Sequence, residues 1–351
     1  MKTKKVYFSQ INVIKAIASF SVTAVHFRNR VETTIPEAIV NNKIKMFFSI
    51  NYALFIFAVP LFLIATGFLS THKKHTKKNI IGTVRIYLLY LFMAFVSFGL
   101  MILTNTREFH GWRDMIYRAL SFDLISGWYI EMFVGLALVI PFLNIIVNNI
   151  SKKEFQSLII VLIIVVGIPS FINRNPDLPS IYIPNFWQNI YPIIYYFIGA
   201  YIRIYINEIN IRNKPLFVLY ISSVIFIIQL LYRHADPYTW TAEGYYSSII
   251  NIVLASSFFM LILNNITKSY FIFDLISKYT LSTYIMAYPI DKILYPIFTE
   301  YFQPVKYLLI GSPIVVILSF FATVISGILL YKIFDYIWNI TTNCSQVHNL
   351  V

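Results

Sequence analysis

Apolar positions run along the chain in long blocks separated by short polar segments. The blocks fall near residues 6–27, 46–69, 84–104, 125–147, 156–172, 186–206, 215–232, 247–264, 279–298 and 306–334. Most are close to the length a helix needs to cross a hydrocarbon core, about 20 residues for about 30 Å. Helices are the element this implies, because lipid offers nothing to satisfy free backbone groups. The alternation of a membrane barrel is absent. The pattern predicts an all-α, polytopic membrane bundle of ten spans.

Composition agrees with a bilayer as solvent. Of 351 residues, 58% are hydrophobic and 12% are charged; a globular domain carries about twice that charge. The net charge of +13 therefore reads as cations gathered on the cytoplasmic side of a membrane and not as a nucleic-acid surface. Lys and Arg are in excess in the segments on the N-terminal side of the membrane, most densely in loop 72–78. That bias places the N-terminus inside, and ten spans return the C-terminus inside as well. Lys2, Lys4 and Lys5 before an apolar run resemble a signal peptide, but Lys15 within the run and the lack of a small-residue cleavage site mark a first span that is retained. The single Cys344 forms no intrachain disulfide. The expected organisation is one integral-membrane domain, 1–337, and a short cytoplasmic tail, 338–351.

Outer loops such as 177–187 and 236–246 are rich in Tyr, Trp, Pro and carboxylates. That composition suits sugar binding and equally an interfacial aromatic belt.

Charges within spans are costly and mark candidate sites. Lys15 and Glu131 stand out, together with His26, a histidine within the first span. Lys15 and His26 are eleven residues apart, about 1100° of helical rotation, so they share one face and stand roughly 16 Å apart along the axis. The stripe suits a helix lining a transverse cavity. It also suits a snorkelling lysine below and an interfacial histidine above. A histidine titrating near neutrality can take a proton from a hydroxyl as its oxygen attacks an acyl group. Glu131 can orient that imidazole, bond a sugar hydroxyl, or form an ion pair within the bundle. Phosphate loops, G-x-S-x-G elbows and H-E-x-x-H helices are absent, and His72 and His75 lie among lysines in a solvated loop, so no metal site is expected.

At this point the chain resembles acyltransferase family 3, the integral-membrane acyltransferases that decorate cell-surface polysaccharides. The first-span pattern R-x(10)-H is similar to Lys15 through His26, and the second-span P-x-F-F-x-x-S-G to Pro60 through Gly67. The second arginine of R-x-x-R corresponds to Arg85, W-[YF]-x(n)-P to Trp128, Tyr129 and Pro141, a late glycine in the sixth span to Gly199, and S-x-x-x-Y-L-x-H-P to Ser282 through Pro289. The resemblance covers residues 8–335. It implies transfer of an acyl group, usually acetyl, from cytoplasmic acyl-CoA to a hydroxyl of a lipid-linked or exported glycan, in a multi-pass protein of the bacterial cytoplasmic membrane. It implies His26 and Glu131 as catalytic residues, Lys15, Lys78 and Arg85 as the donor site, and Trp128, Tyr129 and Tyr288 as acceptor contacts. The expected partners are membrane lipid, acyl-CoA and the glycan, without metal or nucleic acid. Three positions depart from the pattern. Lysine stands for arginine at Lys15, losing the bidentate fork. Gly82 replaces the first arginine of R-x-x-R, and Tyr288 replaces the C-terminal histidine. A glycan transporter without transferase activity is the alternative these departures leave open.

Overall fold

The computed structural model describes residues 8–34, 42–172, 185–233, 246–301 and 307–348. The described residues are 85% helical, and no strand occurs among them. The N-terminal lysines Lys2, Lys4 and Lys5, and most of the aromatic stretches 177–187 and 236–246, lie outside the described residues.

Each predicted block is helical in its described part. The helices are α1 (Ser9–Thr34), α2 (Asn42–Phe55), α3 (Ala58–Ser70), α4 (Lys77–Leu103), α5 (Trp112–Leu120), α6 (Trp128–Asn149), α7 (Lys152–Leu162), α8 (Pro169–Ile172), α9 (Tyr191–Ile204), α10 (Asn213–Arg233), α11 (Ile249–Asn265), α12 (Phe271–Lys278), α13 (Thr280–Tyr301) and α14 (Leu308–His348). Five are long and apolar enough to cross a membrane: the α2–α3 run, α4, α6, α10 and α14. α1 has the length but not the apolarity, because Gln10, Asn12, Lys15 and His26 interrupt it. The expected C-terminal tail is in part a continuation of α14, which runs to His348.

Local chemistry explains the interruptions. The second block breaks at Ile56 and Phe57, because Pro60 has no N–H to give the carbonyl four residues back. The fifth block passes through a π-helical turn at Ile163–Gly167 ahead of Pro169. At its start, Ser151 and Glu154 cap one another's backbone N–H groups.

The helices form two compact units. The first holds residues 1–76 and 136–277, the second 77–135 and 278–351. In the first, α3 and α9 are in close contact. A Cβ on Gly67 would meet the Tyr196 carbonyl oxygen at 2.0 Å, and one on Gly199 would meet the Ile64 carbonyl oxygen at 2.0 Å. Only hydrogen side chains allow this approach, the means by which membrane helices gain dispersion contact without a hydrophobic drive. α1 packs on α2, α3 and α11, and α10 packs on α2 and α11.

Buried Asn144 in α6 is a polar hub of the same unit. Its amide donates to the carbonyls of Ser70 (2.7 Å) and Lys73 (2.8 Å), and its Oδ1 accepts from the Tyr196 hydroxyl. Asn144 thereby ties α6 to the end of α3, where the Ser70 carbonyl also accepts from the Lys73 N–H at 3.0 Å.

In the second unit α13 packs against α4 and α14. Gly327 lets α14 approach the backbone of Ser282 and Thr283, so the serine of the C-terminal motif sits at a helix crossing. Ser319 of α14 donates to the buried Asp291 carboxylate of α13 at 2.9 Å.

Candidate active site

The N-terminal third of α1 is a polar ladder gripping the segment around α12. Ser9 donates to the Thr267 carbonyl at 3.1 Å, and Asn12 donates to Asp274 at 2.8 Å and accepts from Ser277 at 2.9 Å. The Lys15 ammonium donates to the Ser277 carbonyl at 2.8 Å. That carbonyl lies in the last turn of α12, where a cation both fills an orphan acceptor and meets the negative end of the helix dipole. Lys15 retains two further N–H donors.

Eleven residues on, His26 is half-buried. Its flanks hold it in place: Phe27 packs on Phe48 with ring centroids 6.3 Å apart, and the buried Arg28 guanidinium lies 4.1 Å over the Tyr52 ring. Both contacts fasten α1 to α2, which fixes the backbone that carries the imidazole.

The predicted donor-site cations of the second unit differ in state. Lys78 and Arg85 are seven residues apart on α4 and so share a face. Lys77 and Lys78 are exposed and make no hydrogen bond or ion pair among the described residues. Arg85 is instead paired with Asp335 of α14, reaches the Tyr331 hydroxyl at 3.4 Å, and lies 5.9 Å from the Tyr331 and Trp338 ring centroids.

Tyr129 is buried, 4.7 Å centroid to centroid from Tyr284 and stacked on Phe133, with Trp128 edge-on beside it. Its ring therefore builds the core beneath the candidate acceptor residues, whereas Trp128 keeps a half-buried face. Glu131 is exposed in the first turn of α6, where the helix dipole favours a carboxylate. The ion pair that the sequence allowed for it does not form among the described residues.

Tyr288 lines a cavity. Tyr288 and Lys292, four apart on α13, face Thr106, Arg107, Arg118 and Asp123 across a space of about 420 Å³. Arg107 is anchored by a 2.7 Å bond to the Leu124 carbonyl. Arg118 bonds Asp114 at 2.9 Å and Asp123 at 2.6 Å, and these carboxylates hold its pKa above the ordinary arginine value. Loop 121–127 forms the floor, with Phe122 and Ser126 at φ of 59° and 57°. Such left-handed backbone in non-glycine residues persists only where packing over-determines it. Here Phe122 lies against Tyr87 and Tyr90, and Gly127 leaves no room for a Cβ against Tyr90.

The chain matches an acyltransferase domain family over residues 8–332. It belongs to acyltransferase family 3. Among curated proteins and among solved structures none matches.

This membrane acyltransferase thus carries its first-span histidine in the first unit and Lys78, Arg85, Trp128, Tyr129, Glu131 and Tyr288 in the second. Sequence reasoning missed Asn144, Arg28 and the Arg107, Arg118 and Lys292 cluster. For Asp291 and Lys292 the signal was present: both lie inside the apolar run 279–298, where a charge is itself a flag. Asn144 gave none, since an uncharged amide is not conspicuous in an apolar run.

Proposed function

We propose that this acyltransferase moves an acyl group, acetyl, from cytoplasmic acyl-CoA to a hydroxyl of a cell-surface or exported polysaccharide, working in the bacterial cytoplasmic membrane with ten spans and both termini inside. The observation that carries the reading is the family match over residues 8–332, within which the polar stripe of α1 carries a half-buried imidazole, that of His26.

In this reading the His26 imidazole takes the proton of the acceptor hydroxyl as its oxygen attacks the thioester carbon. The C–O bond forms, the C–S bond breaks, and coenzyme A leaves as the thiol. Glu131, free of any ion pair among the described residues, and Trp128 and Tyr288 contact the acceptor, with Tyr129 supporting them. Exposed Lys77 and Lys78 fit the donor phosphates. Arg85 joins them at the expense of its Asp335 pair, and the remaining donors of Lys15 add positive charge. Holding two substrates in register provides much of the rate.

Mass spectrometry of surface polysaccharide from wild-type, deletion and His26→Ala cells tests this. The expected result is an acetyl mass lost in both mutants with the variant protein still present in the membrane. Full acetylation in the His26→Ala strain would remove the general base. Unchanged acetylation with glycan retained inside the deletion strain would favour a transporter.

A further inference from the structure

Within the first unit, α7 packs on α9 and α10 packs on α11. A crevice of about 530 Å³ lies among these four helices and the segment that joins α9 to α10. Most of its wall is apolar, built from Ile202, Leu216, Leu219, Val253 and Met260. One end is polar. There Gln156 of α7 donates to the Tyr201 hydroxyl of α9 at 2.7 Å, and Lys152 bonds Glu208 at 2.6 Å. Between Ile211 and Leu216, which both line the crevice, the chain carries Arg212 and Lys214. Both are exposed, and neither makes an ion pair among the described residues. Their backbone is pinned to the end of α11: Asn264 donates to the Ile211 carbonyl and to Asn213, each at 3.0 Å, and Asn213 donates to Asn265 at 2.8 Å. Segments 151–156 and 205–216 hold four cations, Lys152, Lys153, Arg212 and Lys214, against two carboxylates, Glu154 and Glu208. The Lys152–Glu208 pair cancels, so the excess positive charge sits beside the slot on Arg212 and Lys214.

Further along the same helices, Ile160 and Val161 of α7 and Phe217 and Val218 of α10 are exposed, and α10 is long and apolar enough to cross a membrane. The slot therefore opens among side chains suited to lipid. An apolar slot with cations at one end is complementary to an amphiphile with an anionic head, and basic pockets between membrane helices bind such heads. We infer that this crevice binds an anionic phospholipid, with an acyl chain along the apolar wall and the phosphodiester at Arg212 and Lys214. Such a lipid is already present in the membrane that the helices cross. A zwitterionic lipid brings its own ammonium to the same two cations, and like charges at short range oppose it.

The test is native mass spectrometry of the full-length protein in detergent, titrated with dioleoyl phosphatidylglycerol or with dioleoyl phosphatidylcholine. The phosphatidylglycerol is expected to bind about tenfold more tightly or better, since two cations act on its net negative charge. The double variant Arg212→Gln, Lys214→Gln is expected to erase that preference. Leu219→Trp, which fills the slot and leaves the cations in place, is expected to weaken both lipids. Glycerol 3-phosphate, a head without chains, is expected not to displace the bound lipid. Equal binding of the two lipids by the wild-type protein, well-folded variants that bind as wild type does, or displacement by glycerol 3-phosphate would each overturn the inference. Stronger displacement by palmitoyl-CoA than by phosphatidylglycerol would also overturn it, giving the crevice to an acyl donor. The substituted side chains are exposed, and the size-exclusion profile checks that each variant is folded. The comparison of the two lipids on the wild-type protein decides the matter even where a variant is lost. Lipid binding is read without turnover, so its failure leaves the transferase reading untouched.

Discussion

The Lys15 ammonium donates to the Ser277 carbonyl at 2.8 Å, so the cation of the first-span motif closes the last turn of α12. Asn12, one turn earlier, bonds Asp274 and Ser277 of the same helix. The two side chains share the anchorage, but only Lys15 has charge. Lys15→Met and Asn12→Ala are each expected to cost about 1–3 kcal/mol, seen as a lowered melting temperature. Only Lys15→Met is expected to raise KM for acyl-CoA. Equal KM effects in the two variants would reduce Lys15 to an anchor.

The α3–α9 contact leaves no space for a methyl group at either glycine. Gly67→Ala and Gly199→Ala each push a Cβ into a backbone carbonyl that cannot swing aside, which costs about 3 kcal/mol or more. Both are expected to lose the monodisperse peak in size-exclusion chromatography of detergent extracts. Gly82→Ala and Gly135→Ala, where nothing lies within 4 Å of the added carbon, are expected to keep it.

Arg85 and Asp335 form a pair that is one-third to two-fifths exposed. Its loss is expected to cost less than about 1 kcal/mol. Asp335→Ala should therefore melt close to wild type while releasing the guanidinium, lowering KM for acyl-CoA. Arg85→Ala should raise it. Opposite movements in steady-state kinetics place Arg85 at the donor, and flat KM values in both variants would confine it to helix packing.

Asn144 serves three partners where Tyr196 serves one. Asn144→Ala removes three hydrogen bonds, two from its amide and one to its Oδ1, and is expected to cost about 2–3 kcal/mol, against about 1 kcal/mol for Tyr196→Phe. Thermal unfolding in detergent checks the order, and the double variant should fall short of the sum because the two share a bond.

Much of this architecture is legible from patterning, because lipid leaves a polypeptide few alternatives. Apolar runs of the right length become helices, as all ten blocks do in their described parts. Pro60 and Pro169 mark breaks that follow from a missing N–H. Motif residues are a harder case. Glycines 67 and 199 carry the resemblance as letters, but their reason is a reciprocal helix crossing between residues 132 positions apart. The amphipathic α5 and α12 fall between the predicted blocks, since each is too short for a periodic signal to stand out.

Taken alone, the sequence determined the element type, the blocks and the family, since these depend on local apolarity and on residue order. Tertiary structure decided what the charged side chains do. It committed Lys15 to Ser277, paired Arg85 with Asp335, left Glu131 and Lys78 without ion pairs among the described residues, and set Tyr288 beside Arg107 and Lys292. The physical reason is range. Burying an apolar face needs only a periodic run, whereas a charge is satisfied by whichever partner the fold brings within about 3 Å, and that partner is often hundreds of residues away.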